Sequence, residues 1–306
     1  MELVCVLDSP GDPCEAVLDE YASKDPRVRL LKNDRNRGVS YSRNRGLGAV
    51  TGEFVTFVDA DDRIVASVYE RGVELTGREG VDCCRLRVRE DRDPGLEPDV
   101  CVKGTVFDAE ASGLPIGLLG MSACATLFRT KVLWDLGIRF PEDYRFCEDM
   151  LLMERFMVAG RWIVFLNTCG YEIVGHPDSA CRRAATDAAA FVQPLQASLG
   201  MLRDVLEKGV SDVVVKWYLG VLVMFFLRGR SAVRAHVTGG DRTVYVRLLL
   251  ESAELITGTC ARFVTWPTHA LFVLVRRAPG LWFLPKMPLM FALRFLNHYG
   301  LILRRA

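Results

Sequence analysis

Phe54-Val55-Thr56-Phe57-Val58-Asp59-Ala60-Asp61-Asp62 is the stretch on which the fold turns. Its first five residues are apolar, β-branched or aromatic, the composition of a buried strand. Three carboxylates follow within four residues. The run therefore reads as a strand over residues 54–58 whose C-terminal end delivers acidic side chains to a cleft. Open α/β sheets bind their ligands at that edge. Oxygens spaced as Asp-x-Asp are hard donors suited to Mg²⁺ or Mn²⁺, ions that usually carry a phosphate. Alone, the run fits equally well an acidic turn that solvates a strand end, and its neighbours decide between the two.

Upstream, residues 2–7 (ELVCVL) read as a buried strand ending at Asp8, and Ser9-Pro10-Gly11 as a turn. Asp12-Pro13-Cys14-Glu15 opens a helix: Asp12 as N-cap, Pro13 at the first helical position, Glu15 closing a capping box. Residues 28–31 form the next strand. A polar loop, 33–38, leads into a helix over 40–50 that Gly52 closes. Strand and helix alternating at these spacings predict a mostly parallel α/β sheet. Downstream, 65–77 reads as a helix, 80–107 as strands interrupted by a charged surface loop at 89–98, and 126–128 as a short strand. Residues 131–136 form a helical turn, and 147–160 a helix with Glu148-Asp149 in its first turn. Carboxylates suit that end of a helix on dipole grounds alone. Past about residue 185 the pattern is helical only, which predicts a sheet-based domain over 1–185 and an all-α region over 186–306.

The 306 residues suffice for one large domain plus an appendage. Charge is unevenly spread: residues 228–306 carry 12 Lys and Arg against 3 Asp and Glu, while the rest carry 27 against 35. Apolar residues interleave with the basic tail, above all in 213–227, 268–275 and 281–303. The apolar runs between charges are too short for a spanning helix, which needs about 20 residues. They fit interfacial helices on an anionic membrane face, or a tail packing on the body or on a second copy. Basicity confined to an apolar tail, with no recognisable motif, excludes a nucleic-acid reader. The ten cysteines fit no zinc spacing, and the first residues have no signal-peptide pattern. Free thiols in a reducing cytoplasm are expected, with peripheral contact at the inner face of the cell membrane.

Set in order, Leu7-Asp8, Asn36-Arg37-Gly38-Val39-Ser40, Ser42-Arg43-Asn44-Arg45-Gly46, Gly52-Glu53, Phe57-Val58-Asp59-Ala60-Asp61-Asp62 and Cys147-Glu148-Asp149 resemble a family 2 glycosyltransferase of the GT-A fold over roughly residues 1–180. The resemblance implies a nucleotide-diphospho-sugar donor, most simply a UDP-sugar, and a saccharide or lipid-linked acceptor in surface polysaccharide or glycoconjugate synthesis. It implies Mn²⁺ or Mg²⁺ on Asp61, with Asp59 touching metal or ribose. Asp8 would hydrogen-bond the base and Arg43 would line the nucleotide pocket. Asp149 would be the base and Glu148 a supporting acceptor contact, in a single displacement with inversion. The family's sheet has a further strand, with a Pro-x-Tyr-Asn type loop and a helix, before the strand at 2–7. That unit has no counterpart here, so two strands are expected to lack a neighbour, and truncation of a longer protein is the expected reason. Leu7 stands where the family has a first aspartate, Ser9-Pro10-Gly11 replaces a Gly-Ser-Thr-like turn, and Ile173-Val174 follow Tyr171 in place of an aromatic-basic pair. His176 and Arg182 are the remaining candidates to reach phosphate.

Two other readings compete. Haloacid-dehalogenase-like phosphatases also place Asp-x-Asp at a strand end, but near the domain start and followed by Thr or Val. Here Asp62 follows, and two βα units precede. An inactive glycosyltransferase-like binding module is supported by the missing unit and opposed by the presence of Asp59, Asp61 and Asp149.

Overall fold

The computed structural model describes residues 1–78, 80–89, 101–114, 122–174, 187–227, 233, 235–264, 266–277 and 279. The chain divides into two compact units, Met1–His176 and Pro177–Ala306. Of the loop expected over 89–98, Arg89 instead ends a strand and residues 90–98 lie outside the described residues, as do the apolar stretch at 281–303, His176 and Arg182.

The first unit opens with strand β1 (Leu3–Leu7), helix α1 (Cys14–Lys24), strand β2 (Val28–Lys32) and helix α2 (Val39–Ala49). At the start of α1, Asp12 Oδ1 accepts from Cys14 N at 2.9 Å and Glu15 Oε2 accepts from Gly11 N at 3.3 Å. Glu15 thus reaches one residue further back than a capping box requires. The strands β1 and β2 pair in parallel, Leu3 opposite Val28 through Leu7 opposite Lys32. Among the described residues this ribbon shares no ladder with the rest of the sheet. It is held instead by side chains. Glu2 Oε1 accepts from Thr51 N, Thr51 Oγ1 and Gly52 N, and Arg29 bridges Glu2 and the Ala49 carbonyl. These donors, the Thr51 N–H foremost, hold the Glu2 carboxyl down at about 2 against the opposing effect of desolvation.

The remaining strands are β3 (Phe54–Val55), β4 (Arg63–Ile64), β5 (Cys83–Arg89), β6 (Cys101–Gly104), β7 (Thr126–Arg129) and β8 (Ile163–Glu172), in the order β3-β7-β5-β8-β4 with β6 also on β8. Interspersed are helices α3 (Ala66–Thr76), α4 (Ala109–Ser112), α5 (Thr130–Asp135) and α6 (Glu148–Val158). Among the described ladders of this sheet, only that between β5 and β8 is parallel. The β3–β7, β5–β7, β4–β8 and β6–β8 ladders are antiparallel, so the sheet is mixed and not mostly parallel. Period and spacing reveal strands but not the direction in which a late strand re-enters. The strand expected over 54–58 is also shorter: its ladder stops at Val55, and Phe57 makes one parallel bridge to Cys124. Burial still alternates as a strand requires, with Val55 and Phe57 buried and Val58 exposed.

The floor beneath the acidic turn is aromatic. Phe57 meets Phe140 edge-on at 4.8 Å between ring centres and Phe128 at 6.3 Å, and Phe128 meets Phe156 at 5.2 Å. Such pairs add to the area they bury by about 0.5–1.5 kcal/mol each. They give the turn a rigid base.

In the second unit the described elements are helical: α7 (Ala189–Lys208), α8 (Asp212–Leu227), α9 (Gly239–Thr257), a 3₁₀ turn (Ala261–Phe263) and α10 (Trp266–Arg277). The core of this unit joins α8 to α10 through Phe226 and Phe272, 4.4 Å apart. Among the described residues no helix is long and apolar enough to cross a membrane.

Candidate active site

Helix α2 organises the site from its first turn. Gly38, at φ 88°, takes a left-handed conformation that a side chain would oppose, and so turns its N–H toward Asp8. Asp8 Oδ2 accepts that bond at 2.9 Å, and Asp8 Oδ1 accepts from Arg37 N at 2.9 Å and Asn33 Nδ2 at 2.7 Å. A carboxylate at a helix N-terminus gains from the helix dipole. Desolvation pulls the Asp8 carboxyl upward, but the donors from Arg37, Asn33 and Gly38 outweigh it and hold it below the usual range. Asn33, buried, also donates to Ser42 Oγ at 3.0 Å. Asp8 therefore fastens the 33–38 loop to α2.

One turn further along α2, Arg43 gathers the other predicted residues. Its Nη2 donates to Asp59 Oδ1 at 2.6 Å and its Nη1 to Glu148 Oε1 at 2.8 Å, and the guanidinium lies over the Phe140 ring. The Arg43 and Glu148 side chains are 14% and 12% exposed, Asp59 41%. Burial opposes charge on Arg43, yet Asp59 and Glu148 overrule it and raise its pKa. The next residue, Asn44, clamps the segment ahead of α6: its Oδ1 accepts from Phe140 N, and its Nδ2 donates to Phe140 O and Glu142 Oε1.

Glu148 and Asp149 open α6 behind Cys147, a non-glycine residue at φ 68°. Ala125 at φ 60° is the other such residue among those described, and it lies in the segment facing α6. Strained backbone of this kind costs on the order of 1–3 kcal/mol and tends to cluster at sites. Burial, with Glu148 beside it, pushes the Asp149 carboxyl up to about 6, against the pull of Arg43 and hydrogen bonds from Met150 N and the Ser122 hydroxyl. Desolvation thus beats the helix dipole at this position, and the group titrates near neutrality.

Asp61 is exposed at the tip of the turn, while both carboxylate oxygens of Asp62 accept hydrogen bonds. The Tyr171 hydroxyl donates to Asp62 Oδ2 at 2.7 Å, and Val174 N donates to Asp62 Oδ1 at 2.9 Å. The same hydroxyl accepts from Asp59 N at 3.1 Å. Cys124 lies amid these groups: burial first and Asp59 second push its thiol up to about 11, so it stays protonated. Beneath, Arg85 is 3% exposed and donates from Nη1 to Ser122 O at 2.9 Å, to Cys124 O and to Thr126 Oγ1 at 3.0 Å.

Arg43, Asp59, Glu148 and Asp149 thus form one electrostatic cluster beside the Asp61 turn, and Asp8 is joined to it through α2. Sequence reasoning passed over Asp62, Tyr171, Asn33, Ser122, Cys124 and Arg85. An arginine directly after Cys83-Cys84 in an alternating strand was the one signal for a buried cation.

The first 137 residues match the family model described as glycosyl transferase family 2. Among relatives, glycosyltransferase GlyG of Streptococcus pneumoniae is 30% identical over 230 residues, covering 70% of this chain and 71% of that protein. The succinoglycan biosynthesis protein ExoO of Rhizobium meliloti is 26% identical over 183 residues, covering 56% of this chain and 51% of ExoO. The chain spans about half the length or less of several curated relatives it matches. The solved structure of Staphylococcus aureus TarS with UDP-GlcNAc superposes with a TM-score of 0.69 at 18% identity, over 92% of this chain and 80% of that one. Motif order, mixed sheet and relatives agree, and the chain belongs to glycosyltransferase family 2, with the GT-A fold.

Proposed function

We propose that the protein is a metal-assisted, inverting glycosyltransferase that moves a sugar from a UDP-sugar to a hydroxyl of a saccharide or lipid-linked acceptor in surface polysaccharide or glycoconjugate synthesis. The observation that carries this reading is Arg43 bridging Asp59 and Glu148 beside an Asp149 poised at about 6. The name of ExoO, a succinoglycan biosynthesis protein, and the UDP-GlcNAc bound to TarS support the choice of product class and donor.

Asp61 and Asp59 supply hard oxygen donors on the turn. Asp61, exposed at the tip, and Asp59, 41% exposed, would hold a Mg²⁺ or Mn²⁺ through these oxygens. When bound, that ion neutralises charge on the departing diphosphate. Arg43 adds a fixed positive charge for the same diphosphate, in a site already shaped to hold it. Asp8 keeps the 33–38 loop and α2 in place around the nucleotide base. Asp149, ionised above about pH 6, takes the proton of the acceptor hydroxyl as its oxygen bonds to the anomeric carbon. The bond from that carbon to the diphosphate breaks on the opposite face, which inverts the configuration. Glu148, held by Arg43, orients the acceptor.

We place this work at the cytoplasmic face of a membrane. The basic, apolar tail supports that location, as does α10, where His269, Arg276 and Arg277 line a cavity of about 460 Å³ with Thr257 and Val273. Anionic headgroups would be drawn to such a face.

A thermal melt with UDP, with and without Mn²⁺, tests the reading. Ligand at about 100 times its dissociation constant adds roughly 2.7 kcal/mol of stability. The expected result is a metal-dependent rise that Asp61→Asn loses. A cooperative melt that UDP and Mn²⁺ leave unmoved would favour an inactive binding module.

A further inference from the structure

The three carboxylates of the 59–62 turn are not equivalent, and Tyr171 is what separates them. Tyr171 is 1% exposed, near the end of β8, and its hydroxyl works in both directions: it donates to Asp62 Oδ2 at 2.7 Å and accepts from Asp59 N at 3.1 Å. Asp62 spends its other oxygen on Val174 N at 2.9 Å and its own N–H on Asp59 O at 3.1 Å. Beyond the turn, β4 pairs with the same end of β8, Ile64 opposite Tyr171, and Val65 N donates to Gly170 O at 2.9 Å. The turn is therefore strapped to one strand end at both its beginning and its exit. Asp61 is exposed at the tip.

We infer that Tyr171 and Asp62 are positioning residues, a clasp that holds Asp59 and Asp61 in the shape that receives the metal–diphosphate, and that Asp62 is not itself a metal ligand. The inference rests on the metal-assisted reading given above. Its physical basis is that a buried hydroxyl or carboxylate engaged on every side sets its neighbours' geometry. Residues behind a metal ligand typically change metal affinity by about 10–100-fold when removed. Removing the Tyr171 hydroxyl leaves the Asp59 N–H without its acceptor and frees Asp62 Oδ2, so the turn samples more conformations than the one that binds.

The experiment measures Mn²⁺ binding in the presence of UDP, by electron paramagnetic resonance, for the natural protein, Tyr171→Phe, Asp62→Asn and Asp61→Asn. Amide exchange at Asp59 is followed without ligand. Tyr171→Phe should weaken Mn²⁺ binding roughly 10-fold and speed exchange of the Asp59 amide. Asp62→Asn, which can still accept from Val174 N, should weaken binding less than Asp61→Asn does. Should Tyr171→Phe fail to fold, Asp62→Asn carries the same comparison. Unchanged Mn²⁺ affinity in a folded Tyr171→Phe overturns the inference, as does Asp62→Asn losing as much affinity as Asp61→Asn. If the natural protein binds no Mn²⁺ with UDP, the metal-assisted reading fails and the inference falls with it. Faster exchange at the Asp59 amide in Tyr171→Phe would then still mark the clasp as a property of the fold alone.

Discussion

Asp149 shows most clearly how one residue trades stability for chemistry. Its folded pKa, about 6, lies above the value of 3.8 it takes when free, so the folded state holds the proton more tightly than the unfolded one. Above about pH 6 the buried carboxylate is ionised and costs stability, and as pH falls through 6 toward 4 that cost disappears. Asp149→Asn keeps an acceptor for Ser122 and Met150 N without the charge. It should raise stability at pH 8 by on the order of 1–3 kcal/mol, with the gain shrinking below pH 6, while transfer is lost. Melts across pH, beside an activity assay, check both halves. Arg43→Met works in the opposite sense. Glu148 would be left largely buried without its cation, a loss of about 3–5 kcal/mol for a pair broken on one side, less the part that exposed Asp59 recovers from water. Denaturant titration reads the difference. At this scale the sequence named Arg43, Asp59, Glu148 and Asp149, which the structure brings together, because motif spacing carries residue type. It did not tell that Asp62 is engaged on both oxygens, since the partner, Tyr171, lies 109 residues away.

Among the elements, β8 does the most varied work. One edge pairs with β5 along its length, and the other is divided between β6 and β4. Close approach at its bend requires Gly170, where an added Cβ would lie 2.6 Å from Leu86 Cδ1 and 3.1 Å from Val68 Cγ1. Gly170→Ala should cost about 1–3 kcal/mol through overpacking. Because Tyr171 is the next residue, the same variant should also weaken Mn²⁺ binding, which a melt and a metal titration separate. Strand β5 carries a second buried fastening: Arg85→Met would leave two carbonyls and the Thr126 hydroxyl without their donor. An expected loss of about 2–4 kcal/mol follows from roughly 1–3 kcal/mol per buried unsatisfied group, partly relieved by relaxation. The helices and strands were legible because each has its own period and its own breakers, and α6 begins where Glu148-Asp149 predicted. Strand direction was not legible. Nothing local in Thr126–Arg129 distinguishes an antiparallel neighbour of β5 from a parallel one, and nothing local in 54–58 marks the end of its ladder at Val55, opposite Phe128.

For the whole molecule, the sequence changes from alternating elements to helices alone near residue 185, and the chain divides into its two compact units between His176 and Pro177. Among the described residues the β1–β2 ribbon stands apart from the larger sheet. Cys83 and Cys84 have a use that the site does not make of them. Neighbours in a strand face opposite sides of the sheet, and here both thiols are 0% exposed, so both faces of β5 are covered. Cys14 is exposed on α1. A brief pulse of alkylating reagent should therefore mark Cys14 immediately and reach Cys83 and Cys84 only in molecules whose two layers have parted. Comparing the rates at those adjacent positions would show, without any introduced cysteine, which face of the sheet opens first.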